Sequence, residues 1–293
     1  MEEKRILEEI CSIYSLEPQL KDIFVEGRSD KYFVEWYLQD SNVDDVSVYS
    51  IDLIDIPDEI LAEHNLTKGS KRSYVLALSC TLAARFPSEL NVLCLADRDF
   101  EDYRTTVKIN RYLLFTDCNS LDLYPFSLNT MHKFTMVALG GFPVSAETLM
   151  DMLDNILRRL YLLRLANELL GCGMEWVPFT RYIIVRGCSV SFNENRFTQA
   201  YLHKNRRWAY RDEFDQQVRE AERLLSSERG RRVRGHDFSE LLLSVIRTMK
   251  RDRKYGNRET LEGSLMVAVE RRDLETTPCF QRIQALCHPS QQC

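Results

Sequence analysis

Three acidic residues in the first hundred positions have the types and the spacing to bind a divalent cation. Glu26 follows the apolar run KDIFV (21–25), and Asp97 and Asp99 follow the apolar run VLCLA (92–96). We predict that both runs are strands of a parallel sheet, whose carboxyl edge is where α/β proteins bind ligands. In an extended segment, residues i and i+2 point to the same side, so the two aspartates would converge. Carboxylates of this kind suit Mg²⁺, which can polarise a phosphodiester.

Each acidic motif also has a purely structural interpretation. Asp97 and Asp99 could cap the loop ahead of a helix, because aspartate is common in turns. Asp122 could complete a second metal position or neutralise the turn in which it lies. His236 could donate to a phosphate or act as a general base near neutral pH, or it could be a structural contact. Glu101 is predicted to be a solvated charge at the start of a helix.

The elements that would position these residues alternate in the first half of the chain. Short apolar runs, typical of strands, alternate with segments of helical periodicity, which predicts an α/β fold with a mainly parallel sheet and right-handed crossovers. Ser29 and Asp30 are suitable caps for the helix after the first strand. The predicted strands are 21–25, 46–51, 92–96 and 112–116, and a helix is predicted at 73–86.

The second half of the chain has the periodicity of helices. Ser145 is predicted to cap a long helix that Gly171 or Gly173 would end. Asp237 and Glu240 have the spacing of a capping box. We therefore predict a boundary near residue 140, with an α/β domain at 1–140 that carries the three acidic residues and a mostly helical, basic domain at 141–293. Within the latter, a β-like piece is predicted at 182–185 and further helices at 212–225 and 238–253.

The net charge of −5 conceals an uneven distribution. Residues 1–150 hold 14 Lys/Arg and 25 Asp/Glu, whereas residues 151–293 hold 25 and 19. The basic half contains HKNRRWAYR, RGRRVRGH and KRDRKYGNR, in which Trp208, Tyr210 and Tyr255 lie among arginines. This pattern suits single-stranded RNA, although a solvated face or a surface for an acidic partner protein would look similar. The residues predicted to bind nucleic acid are Arg206, Arg207, Trp208, Arg211, Arg231, Arg232, Lys250 and Arg251.

Several protein classes are excluded by what the sequence lacks. No apolar run approaches the roughly 18 residues of a membrane span, and the N-terminal residues lack the apolar core of a signal peptide. The nine cysteines are an odd number, without a CxxC pair or regular spacing; together with the lack of a secretion signal, this predicts reduced thiols and a cytoplasmic location. Because the sequence has no Walker A motif, ATP use would belong to a partner protein.

Four motifs together resemble the DUF4435 branch of the Toprim family: FVEGRSDKYFVEWYL, LCLADRDF, LLFTDCNSLDLYPF and RGHDFSELLL. The resemblance implies a Toprim-type sheet with flanking helices. It also implies that Glu26 is an acid/base or metal-binding group and that Asp97 and Asp99 bind Mg²⁺, with Mn²⁺ as a possible substitute. Asp122, in LDLYPF, and His236, in RGHDFSEL, would be further metal-binding and catalytic residues.

The resemblance further implies a metal-dependent endonuclease that acts as the toxic effector of an anti-phage, PARIS-type abortive-infection system. Such an effector is held silent by an ABC/SMC-like, AriA-like ATPase sensor and acts as a homodimer when it is released. Its expected substrate is host RNA, with tRNA as the leading candidate. Two alternatives remain open: a DNA endonuclease of the same branch, and a non-catalytic binding module that keeps the Toprim fold.

Overall fold

The computed structural model describes residues 4–41, 43–251 and 254–287. The chain divides into two compact units, Met1–Asp117 with Arg271–Cys293, and Cys118–Glu270. The predicted boundary at residue 140 therefore lies inside the second unit, and the last segment of the chain belongs to the first. One contact that joins this last segment to the first unit is at Asp117. Its carboxylate accepts hydrogen bonds from the backbone N–H of Cys279 at 3.1 and 3.2 Å, which holds the helix at the end of the chain against the end of the sheet.

Within the described residues the strands are β1 Arg5–Ile6, β2 Lys21–Val25, β3 Val46–Ser50, β4 Ile54–Asp55, β5 Asn91–Ala96, β6 Leu113–Phe115, β7 Ile183–Arg186 and β8 Ser189–Phe192. The α-helices are α1 Leu7–Leu16, α2 Arg28–Asp40, α3 Asp58–Glu63, α4 Lys71–Arg85, α5 Leu128–Lys133, α6 Ala146–Leu170, α7 Glu194–Lys204, α8 Arg211–Leu224, α9 Gly235–Val245, α10 Arg258–Ala268, α11 Arg271–Glu275 and α12 Pro278–Cys287. In these residues we find no helix long and apolar enough to cross a bilayer.

The first unit is built on a parallel four-stranded sheet with the order β3-β2-β5-β6. The prediction of an α/β fold with a parallel sheet is confirmed, and the four predicted strands lie within one residue of their observed bounds. All but the first residue of β5 are buried, as expected for a central strand covered on both faces. Because β2 and β5 are neighbours, the residues that follow them emerge side by side at the carboxyl edge.

The last helix, α12, completes the core of the first unit. Phe280 is fully buried and packs edge-to-face on Tyr37 of α2, with ring centroids 4.6 Å apart. Lys21, at the start of β2, donates to the carbonyl of Cys287 at 2.9 Å. The sequence periodicity did not show that this helix belongs to the sheet, because the contact joins residues more than two hundred positions apart.

The second unit is mostly helical and is organised around α6, which begins and ends as predicted. Ser145 accepts a hydrogen bond from the Thr148 N–H at 3.1 Å, and Gly171 ends the helix with a φ of 62°. Glycine reaches this left-handed conformation without the steric cost that other residues meet. The β-like piece near 183 is one strand of the antiparallel hairpin formed by β7 and β8.

The predicted capping box at Asp237 and Glu240 is wrong. Helix α9 begins earlier, at Gly235, and no side chain caps its first residue. Asp237 is buried and instead accepts two hydrogen bonds from Arg164 of α6, at 2.7 and 2.8 Å. A charged, bidentate pair of this kind satisfies a buried carboxylate better than a single backbone N–H would.

Candidate functional site

Glu26 and the Asp97 backbone meet at the carboxyl edge of the sheet. The Asp97 N–H donates to Glu26 Oε1 at 2.8 Å, although the two residues are 71 positions apart in the chain. The contact follows from the parallel register that pairs β2 with β5, since both residues directly follow their strands. The structure therefore brings the Glu26 carboxylate to the Asp97 backbone, but among the described residues the three carboxylates of Glu26, Asp97 and Asp99 are not found within 4.8 Å of one another, as the predicted convergence would require.

Asp99 lies at the same edge of the sheet, but its backbone conformation differs from the predicted extended one. Its φ is 48°, in the left-handed region, so the segment after β5 is a turn and the prediction of an extended Asp97–Asp99 segment is wrong. Aspartate tolerates this conformation better than most residues because its short polar side chain can bond locally. The Asp99 carboxylate nevertheless contributes to the negative field at Glu26.

Burial and charge make Glu26 an unusual carboxyl group. Removal from water raises the pKa of Glu26 to about 7, and the charges of Asp99 and Asp30 act in the same direction. The hydrogen bond from Asp97 and the charge of Arg72 oppose this rise without cancelling it. A carboxyl group with this pKa exchanges its proton near neutral pH, which is the property required of a general acid or base.

Arg72, in the first turn of α4, is the cation at this edge that the sequence analysis missed. Its Nε donates to the Asp97 carbonyl at 2.8 Å and lies 3.9 Å from Asp99 Oδ2. Its Nη2 donates to Glu101 Oε2 at 2.6 Å, and the guanidinium lies over the Phe115 ring. No local motif marks Arg72, because its partners come from a turn that is distant in sequence.

Glu101 is the counter-ion of Arg72 and is not a solvated charge, so that prediction is wrong. Its side chain is only 6% exposed, and its Oε1 accepts the Thr106 N–H at 2.6 Å. Arg98, in the same turn, is held by the end of β6: its Nε donates to the Thr116 carbonyl at 2.9 Å. Arg98 also pairs with Asp102 at 3.0 Å. The turn that carries Asp97 and Asp99 is thus anchored on both sides.

Asp122 and His236 lie in the second unit, where they form a cluster with Glu262. Within the described residues, these three are the only His, Cys, Asp or Glu side chains found with one ligand atom each, all within 4.8 Å of one another. His236 Nδ1 lies 3.6 Å from Asp122 Oδ2 and 3.8 Å from Glu262 Oε1. Glu262 was missed because it lies on α10, outside every motif that the sequence suggested.

The charges of this second cluster compensate one another. The interaction with Glu262 raises the pKa of His236, and the Asp122 carboxylate adds to the rise. Burial raises the pKa of Asp122. Burial also opposes ionisation of Glu262, but its contacts with His236, Ser239 and Arg258 hold the pKa of Glu262 below its usual value.

One of the three basic segments presents aromatic rings to solvent. Trp208 is 41% exposed and stacks on His203, with ring centroids 4.7 Å apart and an interplanar angle of 10°. The guanidinium of Arg211 lies 5.3 Å from the Trp208 ring centre, and that of Arg207 lies 5.2 Å from the ring of Tyr210. Arg206 precedes both ring–cation pairs in the sequence. It lies in the turn after α7, with a left-handed φ of 55°.

The other two basic segments are mostly used within the fold. Arg232 donates to the buried Asp154 at 2.7 Å, and Arg231 pairs with Glu228 at 3.0 Å. Tyr255 is 2% exposed and belongs to the core, so its predicted stacking on a base is wrong.

The predicted residues Lys250 and Arg251 lie where the turn after α9 ends. Lys250 is the last residue of a π-helical turn, and Arg251 follows it in a left-handed conformation with a φ of 56°. Asp252 and Arg253, from the same basic segment, lie outside the described residues. Of the segments predicted to bind nucleic acid, 203–211 is therefore the one with exposed rings stacked against cations.

No protein-family model matches this chain, and no curated protein matches it either. The Toprim resemblance therefore stays a prediction. A functional assignment therefore depends on the residues of the chain and their geometry.

Proposed function

We propose that the protein is a Mg²⁺-dependent endonuclease of the Toprim type, with Glu26, Asp97 and Asp99 as its active-site acids. RNA is the proposed substrate class, and tRNA is the leading candidate within it. The motif resemblance extends to AriB, the Toprim effector of the PARIS anti-phage system. On that resemblance alone, we further propose a homodimeric effector restrained by an ABC/SMC-like ATPase sensor.

The observation that supports the proposal best is the contact between Glu26 and Asp97. A partly buried carboxyl group with a pKa near neutrality lies directly against the turn that carries two further aspartates. A structural role would favour an acid whose charge is fully compensated, because an incompletely compensated buried carboxylate destabilises the fold. Perturbed acids of this kind concentrate at functional sites.

The residues at this edge suit Mg²⁺ by their chemistry. All three side chains offer carboxylate oxygens, the ligand type that Mg²⁺ prefers, and Asp97 and Asp99 are partly accessible to solvent. Asp97 and Asp99 would hold the ion, and Glu26 would act as a ligand or as a proton carrier. When bound, Mg²⁺ would polarise the phosphodiester and stabilise the leaving oxygen.

Side chains of the protein hold the turn that carries Asp97 and Asp99 in position. Arg72 fixes the Asp97 carbonyl, and Glu101 fixes Arg72, so the turn is ordered before substrate binds. Such preorganisation avoids reorganising charged groups during the reaction. Glu26 is placed to give or take a proton at this edge, because one of its oxygens is fixed by the Asp97 N–H.

The exposed rings of segment 203–211 are proposed to bind single-stranded RNA in the second unit. Unstacked bases bind to aromatic faces, and guanidinium groups bind phosphates, so Trp208, Tyr210, Arg207 and Arg211 supply both kinds of contact. Arg211 also pairs with Asp215 at 3.4 Å, but segment 229–232 is the weaker candidate because it has no aromatic ring and both Arg231 and Arg232 pair with carboxylates.

The activity is tested by incubating the purified full chain with Mg²⁺ and either tRNA or supercoiled plasmid DNA. We expect tRNA cleavage by the wild type, no cleavage by Glu26→Gln, and normal cleavage by the control Glu35→Gln on α2. Nicked plasmid with intact tRNA would establish the DNA endonuclease instead. If both substrates survive, the binding-module alternative is correct. Cleavage by Glu26→Gln at the wild-type rate would remove Glu26 from the mechanism.

The RNA surface is tested separately, by fluorescence anisotropy with a labelled single-stranded RNA and the inactive Glu26→Gln background. Adding Trp208→Ala is expected to weaken binding about 10-fold, since base stacking on a ring contributes about 1–3 kcal/mol. Tyr32→Ala, which removes an exposed ring from the first unit, is the matched control and should leave the Kd unchanged. An unchanged Kd for the Trp208 variant would exclude this surface.

A further inference from the structure

We infer that Asp122, His236 and Glu262 form a binding site for a divalent transition metal in the second unit. One imidazole nitrogen and two carboxylate oxygens lie within 4.8 Å of one another. Ligands of a tetrahedral Zn²⁺ ion with bonds of about 2.1 Å are about 3.4 Å apart. The 3.6 Å between His236 Nδ1 and Asp122 Oδ2 is already close to that separation.

The three side chains come from three separate segments of the second unit. Asp122 lies in the short turn Leu121–Leu123, His236 in the first turn of α9, and Glu262 in the middle of α10. A metal bound here would link these segments directly. Because these segments come together only in the folded chain, metal binding here would be coupled to folding.

A second feature points to a ligand at the same place. Ser120 is 8% exposed, and its hydroxyl has no hydrogen-bond partner. The hydroxyl lies against Gly235: a Cβ on that glycine would be 2.6 Å from Ser120 Oγ and 3.3 Å from Asp122 Oδ2. Ser120 and Asp122 therefore pack closely against the bare backbone of Gly235, and both side chains lie on the side where a Cβ would be. A water or hydroxide on a bound metal would give Ser120 the partner that it lacks.

The mixture of ligands selects the class of metal. Imidazole suits Zn²⁺, Cu²⁺, Fe²⁺ and Ni²⁺, whereas Mg²⁺ prefers oxygen ligands alone. The site thus differs in chemistry from the all-carboxylate edge of the first unit. It also differs from a closed ion pair, because the His236 side chain is 60% exposed and leaves a route for an ion to enter.

Two groups already interact with Glu262 and would compete with the metal. Arg258 Nε lies 3.1 Å from Glu262 Oε1, and the Ser239 hydroxyl donates to the same oxygen at 2.5 Å. Arg258 is the stronger competitor because it carries a positive charge. Its replacement by glutamine is therefore expected to tighten metal binding, a result that a purely structural ion pair does not predict.

The test uses the full chain after removal of metals, with Co²⁺ as a spectroscopic probe and Zn²⁺ in calorimetry. We expect one Co²⁺ absorption band that Zn²⁺ displaces, and a rise in Tm of about 5 °C at saturating Zn²⁺. His236→Gln and Asp122→Asn should each weaken binding at least about 10-fold, and Arg258→Gln should strengthen it. Glu259→Gln, an exposed acid in the first turn of α10, is the matched control and should change nothing.

The result is separable from the proposed nuclease activity, because Glu26→Gln should keep the Co²⁺ band and its affinity. Equal binding by wild type, His236→Gln and Asp122→Asn would overturn the inference. Absence of any binding by folded wild-type protein would also overturn it and leave an ion pair only.

Discussion

The two acidic clusters of this protein differ in how their negative charge is balanced. At the sheet edge of the first unit, Arg72 lies against Asp97 and Asp99 but gives its closest ion pair to Glu101. Burial and neighbouring charge leave Glu26 with a raised pKa of about 7. In the second unit, Glu262 faces His236 and Arg258, and its pKa is lowered.

This difference shows what each cluster can do without a ligand. The first cluster has a carboxyl group that resists ionisation, so an added cation or a proton would relieve it. The second cluster also has an acid with a raised pKa, Asp122, but His236 and Arg258 already lie against its carboxylates, so a metal has to compete with these cations. The first therefore has the electrostatics of a reacting site, and the second those of a structural or regulatory site.

The largest effect is expected from Arg72→Ala, which would leave Glu101 as a buried carboxylate without its cation. We expect a loss of about 3 kcal/mol in the free energy of unfolding, measured by urea denaturation. The control Lys68→Ala breaks an exposed pair with Asp58 and should cost less than about 1 kcal/mol. If Arg72→Ala costs no more than the control, Arg72 does not hold the edge together. Adding Glu101→Gln should restore part of the loss.

The two clusters are distinguished by replacing their aspartates one at a time, Asp97 and Asp99 in the first and Asp122 in the second. Asp97→Asn and Asp99→Asn are each expected to reduce Mg²⁺-dependent cleavage at least about 100-fold in kcat/KM, since each removes a proposed metal ligand. Asp122→Asn should leave cleavage near the wild-type rate. The opposite ranking would move the active site to the second cluster, and full activity in EDTA would exclude a metal altogether.

Glu26→Gln is expected to stabilise the fold at alkaline pH. The pKa of Glu26 rises from 4.5 to about 7 on folding, so ionisation opposes the native state. Wild-type stability from this group is complete below pH 4.5 and is lost as pH rises through 7. In EDTA, the variant should therefore gain about 1–3 kcal/mol over wild type between pH 5 and pH 8. The control Glu59→Gln should show no such trend, and a flat difference for Glu26→Gln would contradict the raised pKa.

The smallest effects concern two glycines near the second cluster. Gly235→Ala should destabilise the protein by about 1–3 kcal/mol, because its Cβ would lie 2.6 Å from both Ser120 Oγ and Asp122 Cβ. Gly263→Ala, inside α10, meets open space and should stabilise by about 0.5–1 kcal/mol through helix propensity. Thermal unfolding of both variants measures the contrast. Equal effects would show that the space at Gly235 tolerates a side chain.

Most of the sheet and the main helices of the chain could be predicted from the sequence. Apolar runs of the right length identified β2, β3, β5 and β6, and periodicity with a serine cap identified α6. These signals are local, because strand and helix patterns repeat over a few residues. The position of Glu26 beside Asp97 was also predictable, since it required only that two parallel strands be neighbours.

The sequence by itself therefore determined the parallel sheet and which acids follow its strands. Only the tertiary structure decided what surrounds them: Arg72 against the Asp97 turn, the left-handed Asp99, and Glu262 beside His236. It also assigned the last helix to the first unit. The physical reason is that burial and Coulomb interactions depend on distance in space, and these partners are brought together by packing between segments that carry no shared local pattern.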